Sequence, residues 1–255
     1  KVAVTGGTAN FSGAYKADTT NVSGTGTANF NGDYTGATTN VMSGGTANFN
    51  GSPFNTVGNK GVLNLSGGTV GGSSSFQLVG NSVWTGGTIT GTGTFGKVFV
   101  SPGVVLDKVG PDTLTLGGIL WNEGKVKFSG GQITITTNPL SANNRFFRNG
   151  GTFEFANDLT VSGTGVFHNS GTVTKTGGSG TATLGATRFD SGHWSIATGT
   201  LNLDGGSAPI FLGLPGTQYV DAGLGTLAFN KGTFDLAGLT AAPAGWTLPG
   251  GSLII

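Results

Sequence analysis

Three similar segments of the chain read Phe147-Arg148-Asn149-Gly150-Gly151-Thr152-Phe153, Phe167-His168-Asn169-Ser170-Gly171-Thr172-Val173 and Phe189-Asp190-Ser191-Gly192-His193-Trp194. Each segment has a large apolar residue, a short polar turn that contains glycine, and a second apolar residue. A segment of this kind recurs about every 20 residues, and in a glycine-rich chain with strand-forming residues such a period is typical of stacked coils. Each repeat then supplies one coil.

A stricter repeat occupies residues 1–60. The motif Gly-Thr-Ala-Asn-Phe occurs three times, and its phenylalanines Phe11, Phe30 and Phe49 are evenly spaced at just under the same period. We therefore expect three consecutive coils here, followed by looser repeats over residues 61–206. Residues 207–255 contain most of the late prolines, which cannot donate hydrogen bonds into a strand ladder, and they predict irregular terminal coils. All three parts are interpreted as one β-solenoid domain, residues 1–255.

The segments between the turns alternate apolar and polar residues. Thr113-Leu114-Thr115-Leu116 and Gln132-Ile133-Thr134-Ile135 are examples, and this period of two indicates strands with one buried face. A sandwich would not need a common repeat, and a propeller blade needs about 40 to 50 residues. The prediction is therefore an all-β, right-handed parallel β-helix (β-solenoid), with about 19 to 22 residues per coil and about 12 to 13 coils.

The repeated phenylalanines have two interpretations, an internal aromatic stack or an exposed strip for sugar rings. The alternation favours the interior, where rings of successive coils pack on one another. Four polar residues that follow large aromatic residues in the repeats are expected in turns: Asn122, Asn149, Asn169 and Asp190. There their side chains would hydrogen-bond from coil to coil along the rod.

Composition excludes several classes of function. Charged residues make up only 9% of the chain and the net charge is +1, too little for a phosphate-binding surface, so no nucleic-acid partner is expected. The most basic run, Lys125-Val126-Lys127, fits an exposed strand face. No apolar run is long enough to span a bilayer. The absence of cysteine suits a secreted chain that crosses membranes unfolded.

A family resemblance rests on Val109-Gly110-Pro111-Asp112-Thr113-Leu114-Thr115-Leu116-Gly117-Gly118. This segment resembles the strand repeat of bacterial autotransporter passenger regions, Gly-x-Gly-Thr-Leu-Thr-Leu-x-Gly, with Asp112 in place of a glycine. The Asn-x-Gly-Thr turns resemble those of secreted β-helix adhesins of the filamentous-haemagglutinin type. The resemblance implies an exported protein, extracellular or on the cell surface. It indicates almost nothing about activity.

No catalytic, cofactor-binding or metal site is predicted, and the chain is not expected to be an enzyme. A polysaccharide-active β-helix needs carboxylates that converge on one face, about one coil apart in sequence. The acidic pairs are closer together than one coil, as the following show: Asp190 and Asp204, Glu154 and Asp158, Asp221 and Asp235, and Asp18 and Asp33. The two histidines, His168 and His193, are expected to be exposed turn residues.

Threonine pairs raise the possibility of an ice-binding face. Thr88, Thr134 and Thr172 each begin a Thr-x-Thr pair, but they are separated by two coils or more, which does not indicate one ladder through every coil. The sequence therefore favours threonine as an ordinary exposed strand residue.

The expected function is that of an extracellular structural protein that forms filaments by head-to-tail stacking. Neither Lys1-Val2-Ala3-Val4 nor Ser252-Leu253-Ile254-Ile255 offers a helix or a charge run that would cap a terminal coil. The alternative is a cell-surface adhesin that binds carbohydrate or cells. Ice binding and a polysaccharide-active enzyme are the remaining interpretations.

Overall fold

The structure is a computed structural model that describes residues 1–51, 59–91, 96–136, 145–185, 192–204, 210–211, 219–221, 224–231, 233–235, 246–247 and 252–254. The strands up to residue 136 are β1 (Val2–Val4), β2 (Thr8–Phe11), β3 (Tyr15–Val22), β4 (Thr27–Phe30), β5 (Tyr34–Met42), β6 (Thr46–Phe49), β7 (Asn59–Gly71), β8 (Phe76–Leu78), β9 (Ser82–Ile89), β10 (Lys97–Val100), β11 (Val105–Lys108), β12 (Thr113–Leu116), β13 (Ile119–Asn122), β14 (Lys125–Phe128) and β15 (Gln132–Ile135).

The later strands are β16 (Arg145–Asn149), β17 (Thr152–Phe155), β18 (Thr160–Gly163), β19 (Val166–Asn169), β20 (Thr172–Lys175), β21 (Thr181–Leu184), β22 (His193–Ile196), β23 (Thr200–Asp204), β24 (Ile210–Phe211), β25 (Tyr219–Asp221), β26 (Thr226–Lys231), β27 (Thr233–Asp235), β28 (Trp246–Thr247) and β29 (Ser252–Ile254). No helix occurs in the described ranges, and every strand pairing in them is parallel.

Twenty-six of the described strands form three parallel ladders, one on each side of the coil, and β24, β27 and β29 form a separate parallel sheet. The first ladder is β1-β3-β5-β7-β9-β11-β14-β17-β20-β22-β25. The second is β2-β4-β6-β7-β9-β12-β15-β18-β21-β23-β26-β28. The third is β3-β5-β7-β8-β10-β13-β16-β19. The prediction of an all-β parallel β-solenoid is confirmed.

All three sides are described together for about eight turns, because the third ladder has eight strands between Tyr15 and Asn169. This is fewer than the roughly 12 to 13 coils predicted for residues 1–255. Partners in the first coils are 19 residues apart, as Asn10 and Asn29 are, which is the predicted period. Later coils are longer, and Asn122 pairs with Asn149 across 27 residues. The coil length therefore varies over a wider range than predicted, while the pairing continues from coil to coil.

The interior of the coil holds the predicted aromatic stacks. Phe30 lies between Phe11 and Phe49, with ring centroids 5.1 and 5.3 Å apart and nearly parallel planes. Phe147 stacks on Phe167 at 4.8 Å. Each of these stacked distances is close to the spacing of neighbouring strands, so each coil places its ring on the ring before it. Phe189, the expected third member of the second stack, lies outside the described residues.

Coil-to-coil bonds between asparagines are also confirmed. Asn122 Nδ2 donates to Asn149 Oδ1, and Asn149 Nδ2 donates to Asn169 Oδ1, each at 2.7 Å. The expected position in turns is wrong, because the three residues are the last of β13, β16 and β19 and are fully buried. They face inward because a strand end still follows the alternation of the strand. Asp190, expected to continue this row, is outside the described residues.

Candidate ligand-binding faces

The outer side of the second ladder is a column of hydroxyl groups. In the described coils the strand register joins Thr8, Thr27, Thr46, Thr69, Thr88, Thr115, Thr134 and Ser162. The sequence analysis did not find this column, because uneven coil lengths hide the register that joins Thr88, Thr115 and Thr134. Thr172 lies elsewhere, on the first ladder. Ice binding stays a prediction, which an ice-recrystallisation assay of Thr88→Lys tests against the unmodified chain.

The outer side of the first ladder carries charges that neutralise one another. Lys125 Nζ is 2.5 Å from Glu154 Oε2, and Lys127 Nζ is 3.8 Å from Asp107 Oδ2. Burial by itself would raise the pKa of Glu154. Its contacts with Lys125 and with the Thr176 hydroxyl outweigh burial and hold that pKa below its ordinary value. The predicted Lys125-Val126-Lys127 strand face is present, and its cations have carboxylate partners.

Glu154→Gln is expected to weaken the dependence of stability on acid pH. Because the pKa of Glu154 is lower in the folded chain than the ordinary 4.5, its carboxylate stabilises the fold above that value. The contribution is lost as pH falls through the folded-state pKa. Melting temperatures between pH 7 and pH 3 should therefore fall less for Glu154→Gln than for the wild type. Parallel curves for the two chains would contradict this assignment.

The outer side of the third ladder carries cations and aromatic rings. The strand register joins Lys16, Thr35, Lys60, Gln77, Phe99, Trp121, Arg148 and His168, and we call this row the cationic column. Lys97 lies two residues before Phe99 on β10, so its side chain is on the same outer face. None of the residues joined by this register is acidic.

Trp121 is the centre of the cationic column. Lys97 Nζ lies 4.2 Å and the Arg148 guanidinium carbon 4.1 Å from its ring centroid, within the range of cation–π attraction. Phe99 packs edge-on against the same ring at 5.9 Å. The indole N–H donates to Glu123 Oε1, which fixes the orientation of the ring. Two cations and two aromatic rings therefore meet on one outer face.

A groove of about 290 Å³ lies near the start of the cationic column, and its lining residues include Lys16, Lys60 and one acidic residue, Asp18. One lining position of the groove, Gly61, must be a glycine. A Cβ atom at Gly61, where φ is +153°, would lie 1.9 Å from the carbonyl oxygen of Gly36. The two backbones approach closely because neither glycine has a side chain, and the space that side chains would occupy forms part of the groove.

Two lysines point into the coil, and the sequence analysis missed both. Lys175 is fully buried, and its Nζ donates to Asp158 Oδ1 at 2.8 Å and to the Gly178 carbonyl at 2.8 Å. Lys108 Nζ donates to the carbonyls of Val109 and Gly130, and burial lowers its pKa. Both amines satisfy carbonyls of the turns, which is a structural role. Their positions as final residues of alternating strands were the available signal.

The predicted site residues are not brought together where the structure describes them. His168 lies on the third ladder and His193 on the first, both half-buried in strands, so the expectation of exposed turn residues is wrong. Strand β19 and strand β22 extend over these positions because the alternation continues through them. The described ranges contain no group of three or more metal-ligating side chains. Asp190 and the side chains of Asp221 and Asp235 lie outside the described residues.

Comparison of the chain with protein-family models, curated proteins and solved structures finds no match in any of the three. The β-solenoid architecture is therefore established by the strand pairing alone. Within the part of the chain that the structure describes, no helix is long and apolar enough to cross a membrane.

Proposed function

We propose that the protein is an extracellular or cell-surface structural protein whose solenoids associate end to end into filaments. The observation that carries this proposal is that coils of identical strand sequence pack directly on one another in this chain. β2, β4 and β6 have the same sequence, Thr-Ala-Asn-Phe, and pair in register. Their inward residues are nevertheless covered to different extents.

In this structure the inward residues of β2 are less covered than those of β4 and β6. Phe30 and Phe49 are 0% and 1% exposed, whereas Phe11 is half-buried and stacks only on Phe30. Tyr15 is likewise half-buried, and the equivalent Tyr34 is fully buried. An added coil of the same kind would cover both rings and pair the free strand edge. Such a contact joins different ends of two copies, so it propagates as a filament.

Electron microscopy and light scattering of the 255-residue chain test this proposal. We expect filaments whose formation is prevented by Ala9→Lys, because a charge at this inward position of β2 would oppose stacking of another apolar coil. Thr90→Lys, on an exposed position of the second-ladder side, is the control and should leave filaments intact. A wild-type chain that stays monomeric at high concentration would contradict end-to-end association.

An adhesin that binds carbohydrate is the second candidate, and the outward rings of Phe99 and Trp121 favour it. Both rings are half-buried on the third-ladder face, whereas the phenylalanines of the stacks point inward. Aromatic rings with polar neighbours suit the apolar faces of sugars. The resemblance of residues 109–118 to autotransporter repeats also supports a surface location. Glycan-array binding by the monomer would support this function, and its absence would oppose it.

The chain is proposed not to be an enzyme. Alanine at Asp190 and at His193 should leave no catalytic defect, because these residues do not belong to a set of carboxylates spaced by one coil. The test is a screen of polysaccharides for lyase and hydrolase products. Reproducible turnover of any polysaccharide by the purified chain would refute the proposal.

A further inference from the structure

The cationic column and Lys97 place positive charges at regular intervals along the rod. Lys16, Lys60, Lys97 and Arg148 stand on β3, β7, β10 and β16, the first, third, fifth and seventh strands of the third ladder. Strands of one ladder are about 4.8 Å apart, so successive cations stand about 10 Å apart along the axis. This regularity arises only in the folded chain, because the coils between these residues differ in length.

These cations contrast with those of the first ladder. Lys125 is held by Glu154, whereas neither Lys97 nor Arg148 forms an ion pair with another described residue. Arg148 Nε is buried and makes no hydrogen bond. Burial and, secondarily, the nearby Arg148 charge lower the pKa of Lys97. A carboxylate, that of Glu123, is nearby, but it accepts from the Trp121 indole. Lys97 and Arg148 are thus neighbouring cations that pair with no described carboxylate, and a bound anion would relieve their repulsion.

We propose that the third-ladder face binds an extended acidic polysaccharide that lies parallel to the rod axis. Its carboxylates would meet Lys16, Lys60, Lys97 and Arg148, and its sugar rings would pack against Phe99. This inference rests on the proposed carbohydrate-binding adhesin function. It adds which face of the solenoid binds, how the bound polysaccharide is oriented and which class of polysaccharide it is. A chain with one carboxylate on each disaccharide repeats its charge over about two strand spacings, as the cations do.

The spacing of charges also distinguishes this ligand from a nucleic acid. A nucleic-acid strand carries one phosphate about every 3.4 Å, roughly three for each cation of this face. A polysaccharide with sparser carboxylates matches the cations one to one. From β2 to β18 the second-ladder strands offer hydroxyl groups without charge. Lys125 and Lys127 of the first ladder are already paired, so among the described faces the third-ladder face combines unpaired cations with aromatic rings.

The test is isothermal titration of the chain with a hyaluronate octasaccharide, which carries four carboxylates. We expect Lys97→Gln with Arg148→Gln to weaken binding about fivefold to tenfold, since each partly exposed charge pair contributes only modestly to affinity. The control combines Lys1→Gln with Lys127→Gln, which removes the same net charge away from this face and should change binding less than twofold. Lys16→Gln with Lys60→Gln repeats the test at the other end of the column.

Several results would overturn the inference. Equal weakening in the control variant would mean that net charge alone attracts the polymer, and no binding by the wild type would exclude the ligand class. Tighter binding of single-stranded DNA than of the octasaccharide would instead indicate a nucleic-acid surface. Binding of neutral glycans that is unchanged in all variants would retain the carbohydrate function and refute this face. Unchanged melting temperatures confirm that each variant is folded.

Discussion

Asn149→Ala is expected to lower the free energy of unfolding by about 3 kcal/mol, because it interrupts a buried row of hydrogen bonds. Asn149 accepts from Asn122 Nδ2, and it donates to Asn169 Oδ1 and, at 2.9 Å, to the Thr172 carbonyl. Asn122, Asn149 and Asn169 are all 0% exposed, so water cannot replace the lost partner. The cost is that of leaving Asn169 Oδ1 and the Thr172 carbonyl without this donor.

Asn29→Ala is the matched control. Asn29 makes the same kind of contact, donating to Asn10 at 2.8 Å and accepting from Asn48 at 2.9 Å, but on the outer side of the second ladder. Water reaches this row, so the loss should be below about 1 kcal/mol. Denaturation midpoints, with limited proteolysis to detect local unfolding of coils, compare the two variants. Equal losses at both positions would contradict the argument from burial.

Phe30→Ala is expected to cost about 3–5 kcal/mol, the range for removing a buried aromatic side chain. Phe30 is 0% exposed and contacts four rings: Phe11, Tyr15, Tyr34 and Phe49. Loss of its ring leaves a cavity inside the aromatic stack. The neighbouring coils cannot fill this cavity without disturbing their strand pairing. Thermal and chemical denaturation measure the change.

Phe11→Ala is the control for this second result. Phe11 occupies the same place in an identical strand sequence, but it is half-buried and stacks on a single coil. We expect less than half the loss seen for Phe30→Ala, since part of the ring is already in water. If Phe11→Ala lowered the free energy of unfolding of the monomer as much as Phe30→Ala does, the argument that Phe11 is less buried than Phe30 would be wrong.

Much of the architecture could be predicted from the sequence. The near-identical repeats around Phe11, Phe30 and Phe49 fix the length of the first coils, and the alternation of residues such as Leu114 and Leu116 with threonine identifies the buried face. Both signals can be read from short stretches of sequence, because they depend on the repeat period and on which side chains are apolar enough to be buried. The stacking of rings and of asparagine amides follows once equivalent residues of successive coils are superimposed.

The arrangement of the outer faces depended on the tertiary structure. Thr88 pairs with Thr115 and not with Thr113, and Trp121 lies between Phe99 and Arg148, because coils of unequal length still keep their strands in register. The number of residues between two positions therefore does not predict whether they pair. A longer turn shifts the numbering of every later residue but leaves the strand register unchanged. The periodicity of the sequence is therefore enough to predict a stacked coil with an apolar interior. Only the register of the folded strands decided which hydroxyls, cations and rings share a face.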